Sequence, residues 1–451
     1  MPFIPHSIDD LEEMMRVINI SDTDDLFDEI PESIPKARLE GIPVGMTEQE
    51  LLSHMTNCSN QQKNGVCFLG AGAYDHYIPA SIWSIVSRGE FYSPYTPYQP
   101  EASQGTLQML FEFQSMISEL TGMPVSNSSL YDAPTALAEA ILMSCRINTQ
   151  KNKKVIVPRN IHPHCFETIK TITEPQGISF SILEYDSTTG RAIIDDDAPY
   201  AQTLIISQPN FLGCLEDVDE LTDWAHQRNM IVIALTNPIS LGLLKNPGQW
   251  GKRGADIVVG EAQPLGVPLS FGGPYIGFIA SRDEFVRQLP GRIVGYTMDS
   301  EQNPCYVLTL QAREQHIRRG KATSNICTNQ GLLVTAVVQY LSLLGEKGIH
   351  QVALSCHQRS IMLLNKILSI KDVVAPFSAP FFNEFVISLP ISVEVVLKIM
   401  SKHGILAGYD LSKYYPEIKN PLLVCVTEKR TIDEIDDYAT TLQRIIAGDI
   451  C

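Results

Sequence analysis

The chain has 451 residues, 44% of them hydrophobic and 19% charged, the composition of a folded globular protein with room for several domains. Lys and Arg number 34 against 51 Asp and Glu, a net charge of −17. That balance excludes a general nucleic-acid binder and adhesion to anionic lipid, both of which need a basic face. No apolar run approaches the ~20 residues that cross a bilayer, and Met1–Met15 has neither the basic nor the apolar region of a signal peptide. The expectation is a protein with no membrane and no nucleic-acid partner.

Residues 1–65 are polar, with helical spacing of apolar positions over Asp9–Ile18 and Met46–Met55 and Pro31, Pro35 and Pro43 between them, an N-terminal helical arm. The turn GAGAYDHY (Gly70–Tyr77) lacks the third glycine of a dinucleotide fingerprint and reads as a tight turn. A proline-rich aromatic loop, FYSPYTPYQPEASQG (Phe91–Gly105), precedes a helix over Leu107–Leu120 and a second over Thr135–Cys145. Short β-rich runs follow at Lys154–Pro158, Ile178–Tyr185, Thr203–Ser207, Ile231–Leu235, Asp256–Val259 and Tyr275–Ala280, with an amphipathic helix at Val218–Arg228. Strands alternating with helices predict an α/β large domain over 66–329, its mainly parallel central sheet covered by helices. A smaller C-terminal α+β domain spans 330–451. It comprises helix Gln330–Leu344, helix Ile361–Leu368, strand Glu384–Leu389, helix Val393–His403, strand Leu422–Val426 and helix Ile432–Ala447, the last with Thr431 and Glu434 in capping-box spacing.

Ten cysteines without a CxxC pair read as reduced thiols of a cytoplasmic protein. His162, His164 and Cys165 cluster in NIHPHC, but no HExxH or Cys/His array supports a metal, and none is expected. Two dense polar runs remain. In YTPYQPEASQG, Tyr95, Thr96, Tyr98, Gln99, Glu101, Ser103 and Gln104 sit on a backbone stiffened by Pro94, Pro97 and Pro100, which suits ligand positioning or an ordered subunit contact. In AREQHIRRGKATSNICT (Ala312–Thr328), Arg313, Arg318, Arg319 and Lys321 precede Thr323, Ser324 and Asn325, just ahead of a helix: an anion site, or a solvated charge run.

These two runs, with NSSLYDAPTALAEA (Asn127–Ala140), LGVPLSFGGPYIGF (Leu265–Phe278) and PGRIVG (Pro290–Gly295), resemble the glycine decarboxylase family, the P-protein of the glycine cleavage system. The resemblance covers nearly the whole chain and implies the fold-type-I pyridoxal phosphate (PLP) architecture. It identifies the chain with the family's N-terminal half as a separate α subunit. By resemblance, the Schiff-base lysine falls at Pro264 and the pyridinium aspartate at Ala234, and no lysine occurs between Lys252 and Lys321. The chain alone therefore should have no catalytic residue, and PLP should be bound covalently by a C-terminal β partner, in an α2β2 assembly. Tyr95, Thr96, Tyr98, Gln99, Glu101, Ser103 and Gln104 would complete the partner's active site, with Thr323, Ser324 and Asn325 at its cofactor phosphate. His162 stands where relatives stack a ring on PLP and is read as a relic. The implied reaction decarboxylates glycine and passes the aminomethyl group to the lipoyl arm of the H-protein. The alternative is a non-catalytic scaffold or regulator of a PLP enzyme.

Overall fold

The structure, a computed structural model, describes residues 6–31, 33–35, 41–61, 65–148 and 153–450. The chain divides into two compact units, 1–63 and 64–451. The first carries helices Ile8–Ile18 and Glu48–Gln61. Ser7 caps the earlier one: its hydroxyl accepts from the Asp10 amide at 3.2 Å, and the Asp10 carboxylate accepts from the Ser7 amide at 2.9 Å. Residues 1–5, 32, 36–40 and 62–64 of the expected arm lie outside the described residues.

The second unit holds strands β1 (Val66–Cys67), β2 (Val125–Ser126), β3 (Lys154–Pro158), β4 (Ser179–Leu183), β5 (Thr203–Gln208), β6 (Ile231–Thr236), β7 (Ile257–Glu261) and β8 (Gly277–Ser281). After them come β9 (Ile293–Met298), β10 (Pro304–Thr309), β11 (Glu384–Ser388), β12 (Ile405–Leu406), β13 (Tyr409–Asp410) and β14 (Pro421–Cys425). Seven form the main sheet in the order β2-β8-β7-β6-β5-β3-β4. Strands β3 to β7 run parallel, and β8 and β2 pair antiparallel at one edge. Along β6, Val232 and Ala234 enter one core while Ile233 and Leu235 enter the other, so both faces of the sheet are covered and the strand is continuously apolar. Helix Gln104–Thr121 and the span Gly331–Leu368 cover the first face, and helices Ala133–Ile147 and Pro163–Thr173 the second.

Two features differ from expectation. The span Gly331–Leu368 comprises two helices that meet at a kink at Gly345, whose backbone is not helical (φ 58°, ψ −174°): the first agrees with the helix expected at Gln330–Leu344, and the second begins well before the one expected at Ile361–Leu368. The whole span is long and apolar enough to cross a bilayer, but Val334, Ala336, Val337 and Tyr340 are packed in the core of the main sheet and Leu363 and Ile367 in the C-terminal one. Strand β1, at the start of the expected large domain, pairs in parallel with β12 and so belongs to the C-terminal layer. That layer is completed by the sheet β11-β14-β13 and helices Val393–Lys402 and Ile432–Ala447.

Candidate active site

Parallel strands bring their C-terminal ends to one edge, the place where open α/β sheets hold ligands. A cavity of about 410 Å³ lies there, lined by Ser207 of β5, Leu235 and Thr236 of β6 and Glu261 of β7. The glycine turn forms its rim. The Ala71 amide and the Tyr74 hydroxyl both donate to Glu384, each at 2.7 Å, and Gln263 exchanges hydrogen bonds with the Tyr74 backbone at 2.9 and 3.0 Å. Gly72 needs its glycine: φ is +98°, and an added Cβ would stand 3.0 Å from His162 Nε2. The tight-turn reading of GAGAYDHY therefore describes its geometry.

His162 lines the cavity with both ring nitrogens engaged. Nε2 lies 2.8 Å from the Ala71 carbonyl oxygen, and Nδ1 accepts from the His164 amide at 3.1 Å, capping helix Pro163–Thr173. Desolvation by burial lowers its pKa, and its ring packs on Phe211 at 4.5 Å. Ala234 and Pro264 are buried beside the cavity without lining it. Asp256, eight residues before Pro264 in sequence, pairs instead with Arg282 at 3.2 Å and His226 at 2.9 Å ahead of β7.

The N-terminus of helix Ala133–Ile147 opens on the cavity and would suit an anion. Its amides are already taken by the chain's own acids. Glu261 Oε2 accepts from Ala133 at 3.1 Å, and Asp132 Oδ1 from Thr135 at 2.8 Å. Glu261 Oε1 accepts further amides from Gln263 and Ile276 at 3.1 and 2.9 Å. Burial still pushes the Glu261 carboxyl up to about 7 against the pull of these amides. No Lys or Arg is among the described lining residues. PLP carries a phosphate dianion and needs an amine; this cavity has acids at the anion position and no amine, and PLP does not fit it.

The two polar runs are brought together by a residue that sequence reasoning missed. Arg292, only 3% exposed, donates to Thr96 Oγ1 at 2.9 Å, to Asn329 Oδ1 at 2.7 Å and to the Cys327 carbonyl at 3.0 Å. Tyr98 meets His316 edge-on, ring centroids 5.4 Å apart. Within the first run, Tyr95 is 87% exposed and Tyr98, Gln99 and Glu101 are also exposed, while Ser103 is half-buried. Gln104 is spent internally: it exchanges hydrogen bonds with the Tyr306 backbone at 2.9 Å and donates to the Pro100 carbonyl at 2.7 Å. In the second run, Ser324 accepts from the Ile326 amide at 3.0 Å and its hydroxyl opposes the burial that raises the Glu139 carboxyl. Thr323 is half-buried, its amide donating to the Arg313 carbonyl at 3.0 Å, whereas Asn325 is exposed. Arg313 ties the run to the Leu289, Leu310 and Gly291 carbonyls, while Arg319 and Lys321 are exposed.

A second missed feature is the loop between β7 and β8. Ser270, Phe271, Gly272 and Gly273 all have positive φ, at 45°, 54°, 110° and 132°. This backbone is costly for Ser and Phe, and it holds Phe271 98% exposed beside Gly272, which lines the cavity.

A parallel sheet with a cavity at its strand ends, closed by a C-terminal α+β layer, is the architecture of fold-type-I PLP enzymes. The sphingosine-1-phosphate lyase of Burkholderia pseudomallei has this fold, with a TM-score of 0.65 and 13% identity over 93% of this chain and 94% of that one. The glycine cleavage system P-protein family matches residues 1–442, and the chain belongs to that family. It is 51% identical, over 99% of each chain, to a Legionella pneumophila protein named probable glycine dehydrogenase (decarboxylating) subunit 1. A Nitrosomonas europaea protein of the same name is 49% identical over 99% of this chain and 100% of its own. The crystal structure of an inhibitor-bound glycine decarboxylase (P-protein) superposes with a TM-score of 0.88 and 36% identity, over 99% of this chain and 100% of that one.

Proposed function

We propose that this chain is the N-terminal subunit of a cytoplasmic glycine dehydrogenase (aminomethyl-transferring, decarboxylating), completing an active site on a C-terminal partner subunit that binds PLP covalently. The observation that carries this reading is Glu261 on the Ala133 amide, in a cavity without lysine or arginine. A chain of this family whose own cofactor pocket is filled by an acid serves the reaction through its neighbour. The chemistry supplied by PLP on the partner is an electron sink for loss of carbon dioxide from glycine. The lipoylated H-protein takes the aminomethyl group, and the assembly is α2β2.

This chain's part is to shape and dry the partner's site. Tyr95, Tyr98, Gln99, Glu101 and Asn325 are exposed and available to it. Thr96, held by Arg292, fixes the loop that carries the first four. Gln104 and Ser324 act as internal braces, which favours the rival reading of a scaffold for those two residues.

The test is incubation of the chain with PLP followed by borohydride. No covalent adduct is expected, with glycine turnover only after the partner is added. An adduct on this chain alone would overturn the reading. Tyr98→Phe and Asn325→Ala separate active-site completion from scaffolding: turnover falls with the complex intact in the first case and is unchanged in the second.

A further inference from the structure

We propose that His76, Cys356 and Glu428 form a binding site for a zinc-class divalent cation, where the glycine turn, the helix after Gly345 and the end of β14 meet. One ligand atom from each lies within 4.8 Å of the others. His76 Nδ1 stands 2.7 Å from Glu428 Oε2, and the Cys356 thiol donates to the same oxygen at 3.2 Å. Zinc holds N and O ligands at ~2.0 Å and S at ~2.3 Å, which sets tetrahedral ligand atoms roughly 3.3–3.7 Å apart. The His76–Glu428 and Cys356–Glu428 pairs therefore need to open by less than about 1 Å.

Charge and ligand type agree with this. A thiolate and a carboxylate neutralise a divalent ion, with a neutral imidazole as third ligand, so the loaded site buries no net charge. Thiolate with imidazole selects zinc over magnesium or calcium. The protons now on the cluster would leave with the ion's arrival.

Two buried polar atoms in and near the cluster are unpartnered among the described residues. His76 is 4% exposed, and among the described residues its Nε2 has no partner. The Tyr340 hydroxyl, 1% exposed, has none among them either. Burial first, and then the charges of Glu428 and Cys356, raise the Tyr340 phenol. Buried polar atoms in native proteins are nearly always satisfied, and a fourth ligand position, filled by Tyr340 or by a water bridging to it, accounts for one of these orphans. Glu428 Oε1 meanwhile accepts the Tyr77 amide at 2.6 Å, the hydrogen bond that steadies a ligating carboxylate. The ion would join three segments distant in sequence and fasten the rim of the cavity, since Ala71, Gly72 and Tyr74 of the same turn line it.

The experiment is a cobalt titration of the chelator-treated, untagged 451-residue chain, read by absorbance, with zinc content and thermal midpoint measured in parallel. A thiolate-to-cobalt charge-transfer band saturating at one equivalent is expected, displaced by zinc, and zinc should raise the midpoint. Cys356→Ser should lose the band and weaken zinc binding by at least about 100-fold, whereas Cys58→Ser, at an exposed thiol, keeps both. If Cys356→Ser does not fold, His76→Gln gives the same readout from another ligand. No band in the parent chain, or a band and zinc shift unchanged in these variants, overturns the site and leaves a proton-satisfied network.

Discussion

The Glu261 carboxylate accepts the backbone amide of Ala133 at 3.1 Å, so an acid at the end of one strand closes the anion-binding end of a helix. Burial raises this carboxyl from 4.5 to about 7. Between those values the folded chain holds a proton that the unfolded chain has released. Stability therefore falls as pH rises through the window, by on the order of 3 kcal/mol from this group, and levels off above it. Glu261→Gln is neutral throughout and lacks that slope. Denaturant unfolding at a series of pH values should show the variant gaining on the parent between pH 4.5 and 7. A difference that does not change with pH would mean that Glu261 titrates as an ordinary carboxyl.

Arg292 ties both polar runs with one guanidinium, donating to a hydroxyl, an amide oxygen and a backbone carbonyl. A lysine keeps the charge but cannot bridge Thr96, Asn329 and the Cys327 carbonyl at once. Arg292→Lys should leave the complex with the partner assembled and reduce glycine turnover about 10- to 100-fold, through misplacement of the loops. The assay pairs turnover with sedimentation of the complex. Equal turnover in variant and parent would show that loop geometry is not what Arg292 provides.

Phe271 is 98% exposed on a loop of four successive positive-φ residues. An exposed ring on a costly backbone has no stabilising role in the chain itself, and large exposed aromatics are frequent interface anchors. Phe271→Ser should change the stability of the isolated chain by less than about 0.5 kcal/mol and weaken association with the partner subunit by about tenfold or more. Calorimetric titration of the two subunits checks this, and an unchanged affinity would remove Phe271 from the interface.

Much of the fold is legible in the sequence. Val155–Pro158 of β3 and the whole of β6 are unbroken β-branched or apolar runs, because both faces of the sheet are covered. Helix Ile432–Ala447 announces itself through Thr431 and Glu434, whose reciprocal bonds are 3.1 and 2.8 Å. Other elements carry no such local signal. Helix Pro163–Thr173 is capped by a histidine ring in place of the usual hydroxyl or carboxylate. The hairpin β9–β10 keeps most of its side chains partly or fully exposed, so no alternation of buried and exposed positions marks it. The second helix of the span Gly331–Leu368 carries a polar stretch ahead of Ile361, which hides its early start after Gly345. At the site, the exposed loops stand out through their composition. Arg292 and Glu261 do not, since a lone Arg in PGRIVG or Glu in VVGEAQ becomes notable only when distant segments bury it. Their roles come from tertiary approach, which local pattern does not encode.

The same close approach is testable at Gly277. An added Cβ there would stand 2.3 Å from the Asp132 carbonyl oxygen and 2.5 Å from its carbon, both backbone atoms that cannot swing aside. Gly277 also exchanges backbone hydrogen bonds with Leu130, at 2.7 and 3.2 Å, so the chain leading to Asp132 is held against β8 from both sides. Gly277→Ala should destabilise the chain by roughly 1–3 kcal/mol through overpacking and push the Asp132 cap off the helix that Glu261 closes. Gly105, in helix Gln104–Thr121, has nothing within 4 Å of its added Cβ and no positive φ. Gly105→Ala should therefore be neutral or stabilising, by up to about 1 kcal/mol. Denaturant midpoints of the two variants, compared with the parent, separate a glycine required by backbone approach from one that is not. Equal midpoints would mean that the segment at Asp132 yields, and that the helix end is not rigidly placed by β8.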